Sequence, residues 1–264
     1  MRGGARGISD SSFYVSLPRR DVQREGEPAT VNKANVRRIE RLEQTAKDKR
    51  ERAGAKERAL AATSDTFEWV TNHTETYNEH WVEEGRPSPY EPFPPYDYFR
   101  DLFDALDLEQ ILWIEKSRDM MISWACVAYL TRHAMTVPER GVIFQTQKLD
   151  KAIDLIDYAK CLYRRQADYI KKAFPLAKPL DSQPRNRLEF ADGGYILGIP
   201  GGANQLRGHH PWGYFNDETA FQPEAGECYN EAVSAVKGKI ILSSSAGPGW
   251  YADAKRDIIR NDEN

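Results

Sequence analysis

Three short stretches hold residue types suited to handling a phosphate ester. The first, Lys116-Ser117-Arg118-Asp119-Met120-Met121-Ile122-Ser123-Trp124, sets two cations ahead of a hydroxyl, between an apolar run and an apolar segment. At such a strand–helix junction, unpaired backbone N–H groups and the positive helix end attract an anion, and Lys116 and Arg118 add charge. The second stretch is the carboxylate pair Asp217-Glu218, which ends the apolar run Trp212-Gly-Tyr-Phe-Asn. Asp217 there suits Mg²⁺, as does the Ser123 hydroxyl, and Glu218 suits proton abstraction from an attacking water. The third is Ser243-Ser244-Ser245 after Ile240–Leu242, hydroxyls fit to hydrogen-bond a terminal phosphate or that water.

Each signal has a plain alternative. Aligned on Ser123, the pattern Gly-x-x-x-x-Gly-Lys-Ser/Thr meets Lys116, Met121 and Ile122 where glycine, glycine and lysine belong. Only the final hydroxyl is kept, although a lysine at the front of the loop can fold back over phosphates. An ordinary strand–helix junction with a surface Lys-Ser-Arg fits the same residues. An Asp-Glu pair after a strand also serves as a helix N-cap, and Gly247-Pro248-Gly249 alone accounts for a polar turn after residue 242. The order and spacing of all three stretches favour a nucleotide site.

The elements that must position these residues follow from periodicity. The pattern predicts helices over 31–63 and 64–83, then a rigid proline connector over 86–96 that is neither helix nor central strand. Helix 97–106, strand 111–114, helix 122–130, strand 141–147 and a single long helix over 150–174 come next. Strands 187–190 and 195–199 flank the hairpin signal Asp192-Gly193-Gly194, and 200–211 reads as a loop. A strand, the acidic pair and a helix fall within 212–224, a last strand within 239–242, and Trp250-Tyr251 start a final helix. Strands alternating with helices predict an α/β fold with a mostly parallel sheet covered on both faces.

Charge is unevenly spread over the 264 residues. Residues 1–60 carry fifteen Lys and Arg against nine Asp and Glu, a net of +6, whereas the remainder is −9. A basic arm on an acidic body suits contact with a polyanion or an acidic partner, or simply solvation. Cys126, Cys161 and Cys228 stand too far apart for a zinc site or a disulfide framework, which predicts a reduced, intracellular protein. No run reaches the ~20 apolar residues of a membrane span, so no membrane partner is expected. His209-His210 lack ligand-spaced companions before Asp217 and read as surface or phosphate-contacting residues.

In order, Lys116–Trp124, Val142-Ile-Phe-Gln-Thr-Gln147, Gln205-Leu-Arg-Gly208 before Asp217-Glu218, and Ser243–Ser245 resemble the ATPase domain of tailed-bacteriophage large terminases, which are DNA-packaging motors. The likeness covers about residues 90–260 and is specific as a set. It implies a P-loop NTPase domain of the RecA/ASCE-like kind over 89–264, after a mobile arm at 1–30 and a charged helical extension at 31–88. ATP and Mg²⁺ are the implied cofactors. Residues 116–124 would cradle the nucleotide, with Lys116 and Arg118 on its phosphates, Ser123 and Asp217 on Mg²⁺, and Glu218 as general base. Ser243, Ser244 and Ser245 would form the segment coupling hydrolysis to movement. Tyr96 would stack on adenine, while Asp97 replaces the glutamine with which that family reads the base. Asp119 stands where glutamine is usual, and Met121 where glycine is frequent. An arginine acting in trans is implied, with Arg132, Arg140 and Arg207 all open.

The implied partners are double-stranded DNA, the portal protein, a small terminase subunit and further copies in a ring on the capsid. The setting would be the host cytoplasm and, transiently, the procapsid. In that family a nuclease follows the ATPase, whereas Ser245 here is followed by nineteen residues. No DNA cleavage is therefore expected of residues 1–264. Two rivals stay open: a catalytically degenerate scaffold binding DNA or portal, and a helicase-like translocase.

Overall fold

The computed structural model describes residues 33–262, so the arm expected over 1–30 lies outside the described residues. The chain divides into two compact units between Asp48 and Lys49. Helix α1 (Lys33–Ala62) is rich in Ala, Arg, Glu and Lys, all strong helix formers, and its part up to Asp48 is exposed nearly throughout.

Within the unit from Lys49 onward, α2 (Thr66–His73) starts at Asp65, whose carboxylate accepts the Glu68 N–H at 2.8 Å. It buries Phe67, Trp69 and Val70. The helix expected over 64–83 stops there, because the Thr74 hydroxyl turns back to the Val70 carbonyl at 2.7 Å and the backbone extends. Strand β1 (Glu75–Tyr77) then pairs antiparallel with β2 (Tyr90–Pro92). The proline connector thus contains a short strand, and a two-stranded ribbon tolerates Pro92 because its missing donor is needed by no further neighbour.

The larger sheet is built by α3 (Asp97–Leu108), β3 (Ile111–Glu115), α4 (Ile122–Thr136), β4 (Gly141–Thr146), α5 (Leu149–Arg165), α6 (Asp168–Ala173), β5 (Arg187–Glu189), β6 (Tyr195–Pro200), β7 (Gly213–Asp217), α7 (Ala225–Ala235), β8 (Lys239–Ser244) and α8 (Trp250–Asp262). The single helix expected over 150–174 is broken in two. At the break the buried Gln166 side chain accepts from the Trp69 indole N–H at 3.2 Å. The helix expected immediately after Glu218 is a 3-10 turn, Thr219–Phe221, and α7 begins only beyond Pro223.

Strand order is β3-β8-β7-β4-β6-β5, parallel throughout except β5, which returns antiparallel along β6. Gly193 makes that return at φ +90°, and a Cβ on Gly194 would lie 2.1 Å from the Ala134 carbonyl oxygen. Side chains alternate across the sheet. Val142, Phe144, Phe215 and Ile241 pack with α4 and α5, while Ile143, Tyr214, Ile240 and Leu242 pack with α7 and α8. Both faces are therefore covered, as strands apolar on both sides require. The fold is α/β with a mostly parallel six-stranded sheet, as the alternation of elements predicts.

Candidate functional site

The insertion of β8 between β3 and β7 assembles the site. Its register sets Ser244 opposite Glu115 and Ser243 opposite Asp217, so Lys116, the serines and the acidic pair leave the sheet at one carboxyl-terminal edge. Ligands of open α/β sheets bind outside such edges. The loop after β3 begins with the Lys116 N–H bonded to the Ser244 carbonyl at 3.0 Å. It then turns through two non-glycine residues in the left-handed region, Asp119 at φ 64° and Met121 at φ 52°. Met121 caps α4 without a side-chain hydrogen bond, which leaves the first N–H groups of a fifteen-residue helix directed out of its end. Loop and helix carry Ser123 to the acidic strand.

The polar groups converge closely. Ser123 Oγ donates to Asp217 Oδ2 at 2.6 Å, and Ser243 Oγ donates to Asp217 Oδ1 at 2.6 Å. Lys116 Nζ donates to Ser123 Oγ at 2.9 Å and pairs with Asp217 Oδ1 at 3.1 Å and Glu218 Oε1 at 3.3 Å. Burial pulls the Lys116 pKa down, but the charges of Asp217 and then Glu218 outweigh it and hold the ammonium above its ordinary value. Glu218 takes φ 53°, turning its carboxylate back towards Ser245, whose hydroxyl donates to Oε2 at 3.0 Å. Cys126, buried beneath the loop, has its thiol pushed up chiefly by burial and then by Asp217, which leaves it a poor nucleophile.

The structure thus brings together Lys116, Ser123, Asp217, Glu218, Ser243 and Ser245. Ser244 is buried, and its Oγ accepts the Ala220 N–H at 3.1 Å, so it braces the turn after Glu218. Ser117, Arg118 and Asp119 are exposed on the loop, with Met120 half-buried at its end. Trp124 lies in the first turn of α4, stacked on Tyr158 of α5 at 4.1 Å between ring centroids. Tyr96 and Asp97 open α3 and are exposed, and the Tyr96 ring lies against Tyr98 at 5.4 Å. The contact from α3 to the loop is made by Tyr98, whose hydroxyl donates to the Met120 carbonyl at 3.1 Å.

Of the three arginines open for a role in trans, Arg132 is buried and donates to the Thr63 and Ser64 carbonyls at 3.1 and 2.9 Å. Arg140 stacks over Trp212 at 4.0 Å, whereas Arg207 is exposed and paired with Glu231 at 2.9 Å. Among the described residues no group of three His, Cys, Asp or Glu is arranged to hold a metal, His209 and His210 included. The oxygen set of Ser123 and Asp217 nevertheless fits Mg²⁺, a hard cation that needs only one or two protein oxygens beside those of a phosphate.

Two features escape sequence reading. One is Tyr98, indistinguishable there from any helix aromatic. The other is a buried polar chain beneath the acidic pair. Tyr214 donates to Gln145 Oε1 at 2.5 Å and accepts from Asn216 Nδ2 at 2.9 Å, and Gln222 donates to the Asp217 carbonyl at 2.9 Å. Gln145 also donates to the Pro200 carbonyl at 2.8 Å, tying the loop after β6 to the acidic strand. The only sequence trace is a strand of otherwise apolar residues ending Gln145-Thr146.

No known family profile matches the chain, and no curated protein does. Solved structures similar to it include the large terminase ATPase domain of Thermus phage P74-26. An arginine-to-alanine variant of that domain aligns with a TM-score of 0.42 and 10% identity, over 68% of this chain and 74% of that one. The same domain without that change gives 0.37 and 13%, over 61% and 74%. The large terminase of another thermophilic bacteriophage, solved in complex with ADP, gives 0.39 and 16%, over 58% of this chain and 37% of that one. Among the described residues no helix is long and apolar enough to cross a membrane.

Proposed function

We propose that this chain is a Mg²⁺-dependent ATP hydrolase, the motor domain of a viral large terminase that drives double-stranded DNA into a capsid. One observation carries the hydrolase reading. A lysine ammonium following β3, a hydroxyl in the first turn of α4 and two adjacent carboxylates at the end of β7 meet within 3.3 Å of that ammonium at the sheet edge where an uncapped helix begins. Taking a lysine and a carboxylate largely out of water costs desolvation, and such clusters concentrate at functional sites. The ordered motifs that resemble those of large terminases support DNA packaging as the work performed.

In this reading the α4 N-terminus and Lys116 hold the phosphates, with Arg118 reaching them from the exposed part of the loop. Ser123 and Asp217 would hold Mg²⁺, which when bound supplies charge neutralisation to the phosphate oxygens. Glu218 accepts the proton of the attacking water, and the Ser245 hydroxyl orients its carboxylate for that task. Ser243 fixes Asp217 in the same way. Among Arg132, Arg140 and Arg207, only Arg207 presents an exposed guanidinium able to reach a neighbouring copy in a ring. DNA contact would be through backbone phosphates and therefore independent of sequence. Phosphate release from Mg²⁺·ATP tests the assignment: Glu218→Gln should lower turnover by about 10²–10⁴-fold while nucleotide binding is kept. Equal turnover in both chains would remove Glu218 from the chemistry.

A second reading, a catalytically degenerate scaffold for DNA or portal, draws on Asp119 and Met121. Left-handed backbone costs a non-glycine residue roughly 1–2 kcal/mol, and Asp119 adds a negative charge to the loop that should hold an anion. Absence of both turnover and nucleotide binding in the parent chain would favour it.

A further inference from the structure

The Lys116 ammonium reaches back to the first turn of α4 and to the end of β7. It lies among oxygens: Ser123 Oγ at 2.9 Å, Asp217 Oδ1 at 3.1 Å and Glu218 Oε1 at 3.3 Å. Of these, Ser123 and Asp217 are the donors that suit a divalent cation. The lysine is well shielded, with its side chain 11% exposed, and Asp217 is equally enclosed. Ser123 and Ser243 both donate to Asp217, so the carboxylate is spoken for on both oxygens even before a cation arrives.

We infer that Lys116 is a built-in counter-ion that occupies the cation position of the site until a polyphosphate draws it away, so that a divalent metal enters only together with its nucleotide. This inference rests on the hydrolase reading above and concerns the regulation of that same site. Two cations cannot share oxygens about 3 Å apart without strong repulsion, and partial burial reduces the screening that water would give. With the ammonium in place, Asp217 is neutralised and a metal gains little there. A polyphosphate at the α4 N-terminus offers Lys116 a stronger partner, since it is a long flexible side chain anchored at the very start of the loop. Its departure uncovers Ser123 and Asp217 and releases Glu218 from its ion pair. Metal entry and the freeing of Glu218 are then one event, set off by the triphosphate.

The test reads metal binding rather than turnover. Mn²⁺ alone is titrated into the full chain and into Lys116→Met, with electron paramagnetic resonance counting free ion. The variant should bind one Mn²⁺ about tenfold or more tightly than the parent, and adding Asp217→Asn to it should abolish the gain. Equal affinity in parent and variant, including no binding to either, overturns the inference. Lys116→Gln repeats the measurement should the methionine variant not fold. The parent chain is decisive even by itself: a tight Mn²⁺ site that Asp217→Asn removes, with Lys116 in place and no nucleotide present, also overturns it. Titration with a non-hydrolysable ATP analogue separates this result from the broader reading. A metal gain in Lys116→Met with no analogue bound by the parent would keep the counter-ion and sink the hydrolase.

Discussion

Residue chemistry at the loop is set by an exchange of roles. A standard phosphate loop uses glycine where the backbone must turn left-handed, and here Asp119 and Met121 take those angles with side chains attached. Asparagine tolerates the same backbone and lacks the charge, so Asp119→Asn changes only the electrostatics of the loop. It should tighten Mg²⁺·ATP-analogue binding about two- to fivefold at low salt, the gain shrinking as salt is raised. Calorimetric titration at two ionic strengths checks this, and a weakened variant would mean that Asp119 holds the loop open for the ligand. The serines illustrate what residue type alone cannot fix. As sequence, Ser243–Ser245 suggest hydroxyls free to meet a phosphate. In the fold, Ser243 and Ser245 are engaged with Asp217 and Glu218 and Ser244 with the backbone of Ala220.

Elements deliver these residues through register, and register depends on partners distant in sequence. The strand–loop–helix of residues 111–136 is legible because an apolar run, a polar turn and a small-residue helix follow one another locally. The break between α5 and α6 is not legible, since it depends on Gln166 meeting Trp69, ninety-seven residues away. Nor is the β1–β2 ribbon, whose sequence holds three prolines and mixed spacings. That β8 would insert between β3 and β7 is likewise a tertiary outcome, yet it alone brings Ser243 to Asp217.

Helix α4 also carries a pH-dependent feature away from the site. His133, near its end, lies against Tyr129 and Trp212 with the Arg132 and Arg140 guanidinium groups at its two ring nitrogens. A neutral imidazole has one acceptor nitrogen, so only one of these contacts is a hydrogen bond. Burial first, then Arg132, Arg140 and Lys239, push its pKa down to about 3. In the unfolded chain the ring protonates near 6.5, whereas the folded ring stays neutral, so between those values the unfolded state binds more protons. Stability contributed by neutral His133 is complete above pH 6.5 and falls as pH drops towards 3. Urea unfolding at pH 7 and pH 5 should differ by about 2 kcal/mol on this account, and His133→Gln should flatten the difference. A slope unchanged in that variant would assign the acid sensitivity elsewhere.

Across the whole molecule, one sheet edge gathers the ends of β3, β7 and β8, while the buried Gln145–Tyr214–Asn216–Gln222 chain links the acidic strand to the loop after β6. That chain holds the loop after β6 against the strand that carries Asp217. The central claim is that Lys116, Ser123 and Asp217 serve one triphosphate and its metal. The most direct measurement is calorimetric titration of the full chain with a non-hydrolysable ATP analogue and Mg²⁺, repeated on Asp217→Asn. Saturable binding of one analogue per chain, dependent on Mg²⁺ and weakened about tenfold or more in the variant, is the predicted result. No binding to the parent chain, or equal binding with and without the Asp217 carboxylate, would contradict it.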